Sequence, residues 1–341
     1  MRALLVVNPR ATSTTSAGRE VLAHALASEL KLDVLQTRYR GHAAEATASA
    51  VRAGVELVIA HGGDGTVNEV VNGMLEARPP FEGLPGARPD ATHPDATHPD
   101  ARHPDAANPD TANPDTEAPL LAVLPGGSAN VFARALGLPR DPLEATSVVL
   151  HALADRRTRT VGLGRADDRW FTFNAGMGWD AEVVASVERS RARGLEASPA
   201  RYARTALREY LRQRRHPSSL TIELPGEPAV SEIRLAVVCN TDPWTYLGPL
   251  PARTNPGCGL TDGLALFALR SLSLGTVLPV LREILRKQGD PKGPNVLSRN
   301  ELPLIRVISD TPVALQVDGD YLGERSEVEF VSVPGALRVV V

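Results

Sequence analysis

Apolar runs and amphipathic segments alternate through the first sixty residues, and this alternation restricts the fold more than any other property of the chain. "ALLVVN" at 3–8, "LDVLQT" at 32–37 and "VELVIA" at 55–60 read as strands. Between them, 17–30 carries Val21, Leu22, Ala25, Leu26 and Leu30 at helical spacing, and 42–53 reads as an alanine-rich helix. Strands of this kind separated by helices make a parallel sheet covered on both faces. A helix over about 66–77, a strand "LLAVLP" at 120–125 and a helix opened by "GGSANVFARALG" continue the series. Ligands of such sheets lie outside the carboxyl ends of the strands.

Two glycine-rich turns fall at those ends. In "VIAHGGDGTVNEVVNG" (58–73), Gly62, Gly63 and Gly65 remove side chains that would hold a bulky group off the backbone, and the next helix offers free N–H groups and its positive dipole end. Together these suit an anion, most often phosphate. A tight strand-to-helix turn would also use glycine without any ligand. Three further features favour the ligand: "LPGGSANVFARALGLP" (124–139) repeats the strand–glycine–hydroxyl–helix order, "NPR" (8–10) ends the first strand at the same edge, and "VDGDYLG" (317–323) sets two acids in a glycine turn.

From about residue 141 the pattern changes. Short β-like runs at 158–164, 169–176, 219–224, 233–239, 264–269, 304–309, 313–317 and 327–333 are interrupted by helical stretches near 180–190, 199–214 and 274–287. This predicts a second, mostly antiparallel domain built as a sandwich. Inside the first half, proline recurs at 89, 94, 99, 104, 109 and 114, each time followed by aspartate, with almost nothing apolar nearby. Such a segment, 88–116 within an insertion at 86–118, reads as a solvated loop rather than a metal site built on His93, His98 and His103.

A formal charge of −3 over 341 residues gives no global basic field for nucleic acid. The two cysteines, Cys239 and Cys258, match no metal spacing and read as free thiols of a reducing cytosol. No segment approaches the roughly 20 apolar residues of a membrane span, and "MRALLVVNPRATS" reads as a buried strand rather than a secretory leader.

Taken in order, "VVNPR", "QTRYRGHA", "AHGGDGTVNEVVNG", "LPGGSANVFARALGLP", "FNAGMGWDAEVV", "NTDPWTYLG", "GLTDGLALFAL" and "QVDGDYLG" resemble the diacylglycerol kinase catalytic family, which includes bacterial lipid kinases and the ceramide and sphingosine kinases. The resemblance implies a Rossmann-like α/β nucleotide domain (1–139), a mostly antiparallel β-sandwich domain (140–335) and a final strand (336–341) returning to the first. It implies ATP- and Mg2+-dependent phosphorylation of a lipid hydroxyl, most simply that of diacylglycerol. Carried over by position, Asn8, Pro9 and Arg10 border the nucleotide, and Thr37 contacts it. Gly62, Gly63, Asp64, Gly65, Thr66, Val67, Asn68 and Glu69 form the phosphate loop, with Asp64 orienting magnesium or its waters. Gly127 and Ser128 complete it, a serine standing where the family commonly has threonine. Asp262, with the backbone carbonyls of Gly259 and Leu264, matches a structural magnesium site whose hard oxygen donors suit that ion. Asp320 matches the general base, as "DGD" where the family typically has "DGE", with Asp318 and Glu324 the competing acids. An aspartate serves if the backbone approaches by about one methylene, roughly 1.5 Å.

The resemblance further implies a lipid substrate and a cytoplasmic protein held peripherally at an anionic membrane surface, and a homodimer stays open. The stretch 188–216 carries nine arginines and three glutamates, which suits a membrane surface or simply a solvated helix face. Trp244 and Tyr246 read as lining for a lipid entrance or as buried loop aromatics. A kinase for phosphatidylglycerol, a sphingoid base or NAD, and a non-catalytic lipid or nucleotide sensor, stay open. A dinucleotide oxidoreductase is remote, since no G-x-G-x-x-G follows the first strand.

Overall fold

A computed structural model describes residues 1–11, 15–78, 118–192, 204, 205, 208 and 219–341. The Pro-Asp insertion with its histidines, and most of the arginine-rich stretch, lie outside the described residues.

The first half alternates as expected: β1 (Arg2–Val7), α1 (Ser16–Ala27), β2 (Lys31–Gln36), α2 (His42–Arg52), β3 (Leu57–Gly62), α3 (Asp64–Glu76), β4 (Leu120–Pro125) and α4 (Val131–Ala135). β4, β3, β1 and β2 pair side by side, all parallel. Period-two alternation of side-chain direction divides β1, β3 and β4 between two cores. Leu4, Val6, Val58, Ala60, Leu121 and Val123 meet Val67, Val70, Val71 and Met74 of α3 and Phe132 of α4. Ala3, Leu5, Leu57, Ile59, Ala122 and Leu124 face the other way, toward Leu26 of α1.

A helix that the sequence reading missed follows, α5 (Pro142–Ala154). Asp141 caps it, accepting from the N–H groups of Leu143 and Glu144 at 2.9 and 3.0 Å, and Pro142 stands in its first turn, where a missing N–H costs nothing. Ala145, Val149 and Ala152 pack into the α1 core. The helical layer of the first half therefore runs past residue 139 to Ala154.

The second half comprises β5 (Thr158–Ala166), β6 (Arg169–Phe171), β7 (Asn174–Gly178), α6 (Trp179–Ala192), β8 (Leu220–Glu223), β9 (Val230–Ile233), β10 (Leu235–Cys239) and the hairpin β11 (Thr245–Leu247) and β12 (Leu250–Ala252). Then come β13 (Leu264–Leu269), α7 (Leu274–Ile284), β14 (Val296–Leu302), β15 (Leu304–Val317) and β16 (Asp320–Val340). All these strands pair antiparallel with one another. This largely antiparallel region is continuous with the parallel one. β16 runs beside β5 and ends parallel to β4, with Val339 opposite Leu121, so the parallel and antiparallel parts share one hydrogen-bonded sheet of 14 strands. Val339 and Val340 drop into the two cores of the first half, anchoring the joint. β15 meets β8 through Arg306–Ser309 and β7 through Leu315–Val317, with a register shift between, and the sheet encloses a further core around Phe171, Met177 and Phe330.

β15 and β16 are joined by a two-residue loop, Asp318-Gly319, with both residues at positive φ (48° and 81°). This is the Asp-Gly hairpin turn that the twist of antiparallel strands favours. It delivers Asp320 to the carboxyl edge of the parallel strands.

Candidate active site

The first glycine turn is built against the second. A Cβ on Gly126 would lie 2.9 Å from the Cα of Gly62, and one on Gly127 would lie 2.7 Å from the Cα of Gly63. A Cβ on Gly62 would strike Thr66, 2.5 Å from its hydroxyl. Gly126 and Gly127 thus let two loops on neighbouring strands pack closely, and Gly62 leaves room for Thr66 of its own turn. Gly65 differs: a Cβ there would meet only the two carboxylate oxygens of Asp320, each at 3.9 Å, across open space.

That space is a cavity of about 330 Å³ lined by Asn8, Pro9, Arg10, Thr37, Gly63, Gly65, Thr66, Glu69 and Asp320, together with Arg38, Tyr39, Arg40 and Ala43. The ends of β1, β2 and β3 contribute. Asn8 donates through Nδ2 to Thr66 Oγ1 (3.1 Å), and its Oδ1 accepts from the Arg10 N–H (2.9 Å), tying the first strand's end to the start of α3. Glu69 accepts from the N–H groups of Gly41 and Ala43 at 2.9 and 3.2 Å, fixing the start of α2. Arg40 then reaches across to Asp320 (3.5 Å) and to Glu188 of α6 (3.2 Å). The cavity therefore combines a helix N-terminus, three arginines and one carboxylate supplied by the far half of the chain.

Gly62, Asp64, Val67, Asn68, Gly127 and Ser128 do not line it. Val67 packs into the core, and Ser128 is exposed beyond the second turn. Gly127 donates its N–H to Asn130 Oδ1 (2.8 Å) and accepts from Asn130 Nδ2 (2.7 Å), which closes that turn. Asp64 turns toward α4, its Oδ1 accepting from the Phe132 N–H at 3.3 Å. Burial, and then the neighbouring Asp318, push its carboxyl up to about 7, against the N–H groups of Phe132, Val131 and Asn130.

Asn68 donates to Asp318 Oδ2 and to the Trp170 carbonyl, both at 2.8 Å, and accepts from Arg169 at 2.6 Å. It joins the halves of the molecule. Asp318 is the centre of that joint. Its Oδ2 also accepts from the Thr172 N–H (2.7 Å) and Thr172 Oγ1 (2.8 Å), and its Oδ1 accepts from the N–H groups of Phe173 (3.0 Å) and Asn174 (3.1 Å). Burial pushes its carboxyl up, and these donors oppose the shift. With five donors on two oxygens, Asp318 has no capacity left for a substrate proton. Glu324 is exposed and outside the cavity, leaving Asp320 as the one acid lining it from the C-terminal half.

Behind the turn, Gln316 accepts from the Gly319 N–H (2.9 Å) and donates to Asn174 Oδ1 (2.8 Å) and Asp180 Oδ2 (2.9 Å). Burial raises the Asp180 carboxyl to about 6 against that last bond. These supports, with Arg38, Tyr39 and Arg40, were missed in the sequence. The fragments "QTRYRGHA", "FNAGMGWD" and "QVDGD" carried the signal, but which members face the cleft depends on contacts between distant segments.

Asp262 lies at a separate place. Its N–H donates to the Gly259 carbonyl at 3.3 Å, and a Cβ on Gly259 would lie 2.6 Å from Asp262 Oδ2, so glycine keeps the carboxylate folded over the turn. Asp262 lines a second cavity of about 510 Å³ with Glu301 and Ser332, while Leu264 starts β13 opposite Leu302. The donors on offer are all oxygens, which fits magnesium by chemistry, although no cluster of three acids, histidines or cysteines occurs among the described residues. Of the two aromatics, Trp244 packs on the core around Val237 and Phe267, and Tyr246 lies under the Arg134 guanidinium, 3.1 Å from its ring centre.

Residues 2–166 match the family model described as the diacylglycerol kinase catalytic domain. The domain formed by those residues belongs to that family. The diacylglycerol kinase of Bacillus subtilis (strain 168) is 27% identical across 99% of this chain and 96% of its own length. A probable lipid kinase, YegS-like, of Chromohalobacter salexigens is 32% identical over 40% of this chain and 32% of its own length. The fold matches the crystal structure of a diacylglycerol kinase from Bacillus anthracis str. Sterne with a TM-score of 0.66 at 18% identity, covering 99% of this chain and 96% of that one. The diacylglycerol kinase family is one of lipid kinases, and the chain is a phosphotransferase of that kind, with ATP use implied by kinase membership.

Proposed function

We propose that the chain transfers the γ-phosphoryl group of ATP to the free hydroxyl of diacylglycerol, giving phosphatidic acid and ADP. The observation that carries this reading is the position of Asp320, which faces Gly65 at the start of α3 inside the arginine-lined cavity. The hydroxyl oxygen bonds to the γ-phosphorus, its proton passes to the Asp320 carboxylate, and the bond to the ADP oxygen breaks. Arg10, Arg38 and Arg40 surround the phosphates, and Gly65 leaves them room beside the helix N-terminus. The close approach of the Asp318-Gly319 turn to α3 suits an aspartate, one methylene shorter than the glutamate typical of the family.

Magnesium would neutralise developing phosphate charge when bound. Asp64 is the acid of the phosphate turn that would orient it, while Asp262 with the Gly259 and Leu264 carbonyls would hold a structural ion away from the chemistry. The enzyme works as a peripheral protein at the cytoplasmic face of a membrane, where its acceptor resides. Among the described residues, no helix is long and apolar enough to cross a bilayer.

Radiolabelled ATP offered with diacylglycerol, phosphatidylglycerol, sphingosine and ceramide in mixed micelles, with products separated by chromatography, tests the reading. Label in phosphatidic acid, lost in Asp320→Asn, is expected. Label in another lipid alone would replace diacylglycerol as the acceptor.

A further inference from the structure

The catalytic cleft leaves helix α7 unexplained. Val280 and Ile284 bury one of its faces in the core around Phe267. Leu274, Leu278 and Leu281, spaced four and three residues apart and so on one stripe, are 54%, 60% and 45% exposed. The hairpin of β11 and β12 adds Leu247 and Leu250, 58% and 41% exposed. Five of the six exposed leucines among the described residues fall on these two elements. They are neighbours: the Arg253 N–H, just after β12, donates to the Ile284 carbonyl at the end of α7 (2.8 Å), and Ala252 shares the core of Val280 and Ile284.

Charge points to what covers them. Residues 270–292 hold five basic and two acidic side chains on a chain whose net charge is −3. Arg286 pairs with Glu283 and Lys292 with Asp290, which leaves Arg270, Arg282 and Lys287 as the local excess. Arg282 and Lys287 are exposed at the border of the leucine stripe. An apolar stripe edged by cations matches the boundary between acyl chains and anionic headgroups. A second copy of the chain matches it less well, because a two-fold contact would set the cations against their own counterparts. The surface also leads to the chemistry. Trp244, just before the hairpin, accepts through its carbonyl from Asn174 Nδ2 (3.2 Å), and the Asn174 N–H donates to Asp318 of the catalytic turn.

We propose that α7 and the β11–β12 hairpin form the face that docks on an anionic lipid bilayer, with Leu274, Leu278, Leu281, Leu247 and Leu250 entering the interface and Arg282 and Lys287 meeting lipid phosphates. This rests on the reading that the acceptor is a bilayer lipid. The test compares the full chain with a Leu278→Gln, Leu281→Gln double variant. Sedimentation with phosphatidylcholine vesicles, with and without phosphatidylglycerol, reads docking. Transfer to long-chain diacylglycerol in those vesicles, and to a short-chain diacylglycerol dissolved in water, reads chemistry. The wild type should sediment with the anionic vesicles, and the variant should bind them about tenfold more weakly or worse. Its transfer should fall in vesicles and stay unchanged with the dissolved acceptor. Equal sedimentation of the two proteins, or a wild type that ignores anionic vesicles, would overturn the docking face. So would a wild-type dimer that the double substitution makes monomeric. Failure of the acceptor reading looks different: no transfer to diacylglycerol in either form, whatever the sedimentation shows.

Discussion

Asp318 and Asp320 stand two residues apart in one hairpin, and the same Asp→Asn change should damage them in opposite ways. Asparagine is itself a preferred residue at the Asp318 position of this turn, so Asp318→Asn leaves the backbone conformation intact and alters only the acceptor. With its amide nitrogen in the less harmful place, at Oδ1, the N–H groups of Phe173 and Asn174 lose their partner inside a buried joint. Each orphaned N–H costs about 1–3 kcal/mol, and the remaining bonds lose their charge assistance, so the loss is about 3–5 kcal/mol. For a chain this long that lowers Tm by about 4–7 °C. Asp320, by contrast, is partly exposed, with the 3.5 Å contact to Arg40 as its ion pair, and an exposed pair contributes at most about 1 kcal/mol. Asp320→Asn should therefore melt within about 2 °C of the wild type while turnover falls by about 10²–10⁴. Scanning fluorimetry and steady-state transfer from ATP, run on both variants, give the comparison. A stable Asp318→Asn protein, or an Asp320→Asn protein with near-normal turnover, would refute the division of labour between the two acids.

Three other outcomes follow from the same geometry. Gly65→Val places a branched side chain in the cavity beside Asp320 and should raise KM for ATP at least tenfold with little change in Tm; an unchanged KM would remove the start of α3 from phosphate binding. Arg40→Gln should likewise raise KM for ATP about tenfold, because a cavity cation is lost, while Tm holds because its pairs are exposed; unchanged kinetics would make Arg40 a surface residue. Asp180 has its folded-state carboxyl raised from 3.8 to about 6, so the folded chain holds that proton more tightly than the unfolded one. Its contribution to stability is present below about pH 4 and is lost as pH rises through about 6. Relative to Asp180→Asn, the wild type should lose up to about 3 kcal/mol between pH 4 and 7 in denaturant titrations, and a constant gap would refute the shift.

Local pattern was sufficient wherever a feature is carried by consecutive residues. The β1–β3 alternation, the two glycine turns and the Asp-Gly hairpin were legible because side-chain period and backbone conformation are properties of a few neighbouring residues. Helix α5 was equally local, with Asp141 and Pro142 at its start and Val149 and Ala152 on its buried face. Its position after "GLP", where the sequence turns β-rich, masks it. What the chain's order could not decide is which side chain faces which partner across the sheet. Gly62 and Gly127 read as part of a phosphate cradle in sequence, and only the structure shows that their two turns also pack against each other. Asn68 reads as part of the phosphate loop and instead bonds Asp318, 250 residues away. The two acids of "VDGD" are told apart in sequence by family resemblance alone, not by any local pattern. They separate because one lies inside the turn and the other begins the next strand: Asn68, Thr172, Phe173 and Asn174 saturate the Asp318 carboxylate, while that of Asp320 is left facing Gly65 and the cavity. Such assignments depend on β16 pairing with β4, a contact between the last residues and the first half that no local period encodes.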